Sequence, residues 1–138
     1  MSYVFDSSAM LAVLRNENGA DRVEALLDGD APCYAHAVNL CEVFYDGLRV
    51  GGVAAAEAGV ANLQEDGIEE RSDLDGIFWR DVAALVAKYR SGKGNRLALG
   101  DAFGVALARR LNADFVTADR GELEVVAASG AARIIFIR

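Results

Sequence analysis

One histidine and two cysteines in 138 residues leave little material for soft-metal or thiol chemistry. Cys33 and Cys41 are too few for a disulfide framework and sit among apolar neighbours, so they read as small buried thiols in a reducing compartment. A His/Cys zinc site needs more ligands than this chain offers. His36, just beyond a strand, reads as a packing or capping residue. No run of about 18 apolar residues occurs, so no membrane span is expected. The N-terminus enters a strand directly, without a basic region and an apolar stretch behind it. That pattern argues against a secretory signal and for a cytoplasmic protein. A P-loop and a Gly-x-Gly-x-x-Gly fingerprint are both missing. Positive charge is scarce too: a net charge of −7 speaks against a broad nucleic-acid surface.

What charge there is lies unevenly. The stretch from Lys88 through Arg90 and Lys93 to Arg96 carries four cations and no acid. It precedes the helix of Asp101, so it is a candidate lip for phosphate contact; a helix end plus a solvated loop would also explain it. Two divalent ions in an acidic crevice would offset four of the net negative charges.

At 138 residues and 53% hydrophobic, the chain suits one domain spanning 1–138 with a substantial core. Strand and helix signals alternate. Strands are expected at Tyr3–Asp6, Cys33–Ala35, Ile68–Arg71 (a brief edge), Phe115–Thr117 and Arg133–Ile137. Helices are expected at Ser8–Asn16, capped by Ser7 or Ser8, and at Ala20–Leu27. Further helices fall at Ala37–Val50, Val53–Gln64 beyond a break at Gly51-Gly52, Ile77–Arg90, Leu97–Leu111 and Glu122–Ala128. The last run, Ile134-Ile135-Phe136-Ile137, does not alternate, as expected of a strand covered on both faces. This is an α/β sandwich built on a mainly parallel sheet.

Four acids fall where strands hand over to helices: Asp6, Glu42, Asp101 and Asp119. The carboxyl ends of strands in an open parallel sheet form its ligand crevice. Asp101 opens a helix that is apolar nearly all round, so its carboxylate needs a partner. Asp6 and Asp119 also fit helix caps or Asx-turns, with Arg120 as a second explanation for Asp119. Glu42 lies opposite the Leu40–Val43–Phe44 stripe and fits a solvent-facing residue. Taken together, the four mean more than singly. Unit charges about 4 Å apart repel by roughly 4 kcal/mol at an effective dielectric near 20. Such a cluster therefore calls for a cation or for protonation. Hard oxygen ligands suit Mg²⁺ or Mn²⁺, which can promote in-line phosphodiester displacement without a side-chain nucleophile. Phe78 and Trp79 read as core or interface, and Arg109 and Arg110 as the solvated end of the Asp101 helix.

Four short motifs in order carry a resemblance: Val4-Phe5-Asp6-Ser7-Ser8-Ala9, Ala37-Val38-Asn39-Leu40-Cys41-Glu42-Val43, Leu97-Ala98-Leu99-Gly100-Asp101-Ala102 and Val116-Thr117-Ala118-Asp119-Arg120. The chain resembles PIN domains over nearly its whole length, above all VapC-type toxins of toxin–antitoxin pairs. The resemblance implies a single PIN-like domain with a mainly parallel five-stranded sheet flanked by helices. It implies a Mg²⁺- or Mn²⁺-dependent endoribonuclease using Asp6, Glu42, Asp101 and Asp119, with Thr117 as an accessory hydroxyl and Ser7 as a weaker supporting residue. It further implies an RNA substrate, a homodimer and a cognate antitoxin whose tail covers the crevice. Ala98 departs from the serine of many relatives, which would leave Asp101 to cap its helix alone. Competing readings are a metal-dependent phosphatase, which would want a second aspartate where Ser8 stands, and a non-catalytic binding or dimerisation domain. A response-receiver fold is poorly served, since neither Lys88 nor Lys93 follows a late strand.

Overall fold

The computed structural model describes residues 1–90 and 96–138. Lys93 therefore lies outside the described residues. Five strands, β1 (Tyr3–Phe5), β2 (Cys33–His36), β3 (Ile68–Arg71), β4 (Asp114–Thr117) and β5 (Ile134–Phe136), form one sheet in the order β3-β2-β1-β4-β5. Every described strand pair is parallel, so the sheet is wholly rather than mainly parallel. Parallel neighbours require crossovers, and among the described residues six helices supply them: α1 (Ser7–Leu14), α2 (Ala20–Leu27), α3 (Ala37–Glu65), α4 (Gly76–Lys88), α5 (Leu99–Leu111) and α6 (Arg120–Ser129).

Alternation along each strand sends side chains to two cores. Val4 and Phe115 join one with Val105, Leu107 and Leu123, while Phe5 and Val116 join the other with Met10, Val23 and Leu63. The final run obeys the same rule. Ile134 and Phe136 pack on the first core and Ile135 on the second, so β5 is covered on both faces although it is an edge strand of half-buried residues.

The expected break in the third helix is real. Gly52 has φ 80 and ψ −171, a conformation open essentially to glycine alone. The chain doubles back there: a Cβ on Gly47 would lie 2.7 Å from the Ala56 Cα, although a straight helix separates residues nine apart by about 13 Å.

The crossovers from β1 lead one way, to β2 and β3, and those from β3 lead the other way, to β4 and β5. The order of strands reverses between β1 and β4, the switch point at which open parallel sheets bind ligands beyond the carboxyl ends of their strands. Asp6 and Asp119 stand directly beyond those ends.

Candidate active site

Asp6 follows the last residue of β1 and caps α1, so neither Ser7 nor Ser8 does. Its Oδ1 accepts from the Ala9 N–H at 2.9 Å and from the Ser8 hydroxyl at 2.7 Å, and its Oδ2 accepts from the Thr117 hydroxyl at 2.5 Å. The supporting serine is thus Ser8 rather than Ser7. Ser8 Oγ also accepts from the Ala118 N–H at 2.9 Å, tying the start of α1 to the end of β4. Asp6 is 1% exposed. Burial pushes its carboxyl up to about 6; the three hydrogen bonds pull it down, and the Asp119 charge adds to the rise.

Asp119 caps α6, accepting from the Glu122 N–H at 3.2 Å, while its own N–H donates to Thr117 Oγ1 at 3.0 Å. Thr117 therefore steers both aspartates from one fully buried hydroxyl. Arg120 is not the partner of Asp119: it pairs with Glu124 at 3.6 Å and donates to the Arg138 carbonyl at 2.7 Å.

Asp101 is the third residue of α5, whose N-cap Ala98 offers no side-chain bond. Asp101 is not left to cap the helix alone. The Ala98 N–H donates to Glu122 Oε2 at 3.1 Å, so the start of α5 is held from α6 and Asp101 is free to face the crevice. Carboxylate oxygens of Asp101, Asp119 and Glu122 lie within 4.8 Å of one another. Burial first, then the bond to Glu122 and the charges of Asp6, Glu122 and Asp119, push the Asp101 carboxyl well above the ordinary range.

Glu122 is a further acid at this place that the strand-to-helix pattern does not single out. The Asp119-x-x-Glu122 spacing is that of a capping box and was the available signal. The Asp119 N–H is already satisfied by Thr117, so Glu122 turns to Ala98 instead.

Glu42 is exposed, as its place on the helix suggested. Its Oε1 nevertheless accepts from Asn39 Nδ2 at 3.2 Å and lies 2.5 Å from where a Gly100 Cβ would stand. It thus rests against the residue preceding Asp101. The structure brings Asp101 and Asp119 together with Glu122, sets Asp6 close enough for its charge to act on Asp101, and seats Glu42 beside the start of α5.

The basic stretch is placed differently. Tyr89 Oη bonds Ser129 Oγ, the last residue of α6, at 2.5 Å. Asp119 lies at the other end of that helix, about 15 Å away. Lys88, whose ammonium lies over the Tyr89 ring, and Arg90 therefore stand apart from the carboxylates. Of the described cations in this stretch, Arg96, exposed and two residues before Ala98, is the nearest to Asp101 along the chain. His36 caps α3, accepting from the Val38 N–H at 3.0 Å, and stacks on buried Phe78. Trp79 is half-exposed beneath Arg80. Arg110 is not merely solvated, since it bonds Asp73 and Asp75.

Among the described residues, no arginine or lysine pairs with Asp6, Glu42, Asp101, Asp119 or Glu122. An all-oxygen donor set in which Asp6 and Asp101 hold their protons more tightly than free carboxyls, with no described arginine or lysine paired to it, fits a hard divalent ion.

A family model described as the PIN domain matches residues 3–128. No curated protein matches the sequence. Solved structures do match in fold. VapBC2 from Rickettsia felis, bound to a DNA fragment from its promoter, is 13% identical, with 99% of this chain and 98% of that one covered and a TM-score of 0.76. DNA-bound VapBC from Salmonella typhimurium is 14% identical, covering 100% and 99% of the two chains, with a TM-score of 0.71. VapC20 from Mycobacterium tuberculosis, a toxin that cleaves the sarcin–ricin loop, is 16% identical, covering 91% and 95%, with a TM-score of 0.70.

Proposed function

The chain belongs to the PIN-domain family, and on that premise we propose that it is a metal-dependent endoribonuclease, the toxin of a bacterial toxin–antitoxin pair. The observation that carries the reading is the meeting of Asp101, Asp119 and Glu122 within 4.8 Å, above buried Asp6, at the sheet's switch point. Asp6, Asp101, Asp119 and Glu122 would hold Mg²⁺ or Mn²⁺, with Glu42 beside them. When bound, such an ion supplies a water made acidic enough to attack a phosphodiester and a positive charge for the leaving oxygen. Thr117 and Ser8 keep Asp6 ionised and aimed. Glu122 holds the start of α5, which fixes Asp101. Arg96 would meet the RNA backbone nearest the cut, and Lys88, Arg90 and Lys93 would extend that contact along the strand.

The phosphatase alternative wants a carboxylate at position 8, where the Ser8 hydroxyl is already bonded to Asp6. Neighbouring folds were solved as complexes with their antitoxins, which supports a cognate antitoxin here. Apolar side chains left at the surface, Tyr45, Leu48, Val50 and Val53 on α3 and Leu74, Ile77 and Trp79 around the start of α4, offer area for that partner and for a second copy. No helix among the described residues is long and apolar enough to cross a membrane, and a cytoplasmic site of action fits an RNA target.

The test is cleavage of a labelled single-stranded RNA by purified protein. Cleavage is expected with Mn²⁺ or Mg²⁺, silenced by excess EDTA, and lost in Asp101→Asn. Equal cleavage by Asp101→Asn would refute the reading.

A further inference from the structure

Glu42 is the one acid of the quartet that is exposed, yet two features fix where its carboxylate goes. Asn39, one turn earlier on α3 and 0% exposed, donates from the same Nδ2 to Glu42 Oε1 at 3.2 Å and to the Gly100 carbonyl at 3.0 Å. Gly100 leaves a notch: a Cβ there would stand 2.5 Å from Glu42 Oε1, 3.0 Å from Cδ and 3.2 Å from Oε2. The other end of the Asn39 amide is informative. Its Oδ1 is buried without a hydrogen-bond partner, 3.0 Å from where a Gly104 Cβ would lie. An orphaned acceptor is destabilising, and an apolar residue at this position would avoid it. Only the donor end of the amide is used, and that end faces Glu42 and the start of α5.

We propose that Asn39 and Gly100 form a seat for the Glu42 carboxylate, Asn39 as a positioning residue and Gly100 as the space it occupies. The seat holds the carboxylate against the start of α5, at the residue before Asp101. The inference rests on the metal-dependent reading above and names two residues that serve it through Glu42.

The test is calorimetric titration of Mn²⁺ into full-length variants, with thermal unfolding in EDTA as a check on folding. Asn39→Ala is expected to weaken Mn²⁺ binding about tenfold, as loss of a group supporting a ligand commonly does. Gly100→Ala is expected to weaken it comparably while holding or raising the unfolding midpoint, because alanine favours a helix more than glycine. A purely structural role would not separate those two readouts. Combined with Glu42→Gln, Asn39→Ala is expected to add almost nothing, since its effect passes through the residue already changed. Unaltered Mn²⁺ affinity in both single variants, or full additivity with Glu42→Gln, would overturn the seat. Failure of the wild type to bind Mn²⁺ would overturn the functional reading as well.

Discussion

Asp6 shows how a functional charge differs from a structural one. Burial chiefly pushes its carboxyl up to about 6, against 3.8 in an open chain. That difference of about two units corresponds to roughly 3 kcal/mol against the ionised form. Asp6→Asn removes the charge while keeping a capping oxygen for the Ala9 N–H. The bond from Thr117, whose acceptor Oδ2 becomes an amide nitrogen, is lost and offsets part of the gain, leaving roughly 1–2 kcal/mol. The variant is therefore expected to unfold a few degrees higher than wild type at pH 8 in EDTA, yet to cleave no RNA. Calorimetry and a cleavage assay on one preparation check this pair. Asp6, Asp101 and Asp119 were legible because each lies at or just past a strand end or opens an apolar helix. Glu122 was not, because the last helix was expected to begin at that residue. The structure starts it at Arg120, which turns Glu122 from a helix end into the third residue behind a capping aspartate.

At the scale of elements, the start of α5 depends on α6. The Ala98 N–H has its acceptor on Glu122, 24 residues away. Glu122→Ala is expected to cost about 1 kcal/mol for the lost bond and to speed amide exchange at Ala98 and the first turn of α5. Glu122→Gln keeps an acceptor oxygen and is expected to leave that exchange near wild type while still weakening Mn²⁺ binding. Exchange measured by mass spectrometry separates tether from ligand. The helix breaks and strands were readable for physical reasons: paired glycines at 51 and 52 permit the positive φ that reverses α3, and a run as short as Ile68–Arg71 suits a sheet edge. Cross-element bonds such as Ala98 to Glu122 leave no periodic trace, so no window of sequence reveals them.

For the whole molecule, opposed groups set the response to pH. Asp73, at the junction of β3 and α4, is drawn down to about 2 by Arg71 first and Arg110 next. Its folded value lies below the open-chain 3.8, so the stability it contributes is present above about pH 4 and lost as pH falls towards 2. Asp6 works in the opposite sense. Its folded value lies above 3.8, so its contribution declines as pH rises from about 4 through 6. Metal-free protein is thus expected to be most stable near pH 4–5, and Mn²⁺ to move that optimum upward by removing the penalty on ionised Asp6. Unfolding midpoints across pH, with and without Mn²⁺, check both signs. Net charge of −7 makes the basic stretch matter more. Arg96→Ala is expected to weaken RNA binding at all sequences and lower the salt slope by about one. Fluorescence anisotropy across a salt series reads that slope.

An ion held at this site must draw on acids delivered by separate strand ends. Titrating Mn²⁺ into folded Asp6→Asn, Asp101→Asn and Asp119→Asn by calorimetry addresses this most directly. The expected result is that each substitution, though made on a different segment, weakens the same binding event tenfold or more. Wild-type affinity in all three would contradict it.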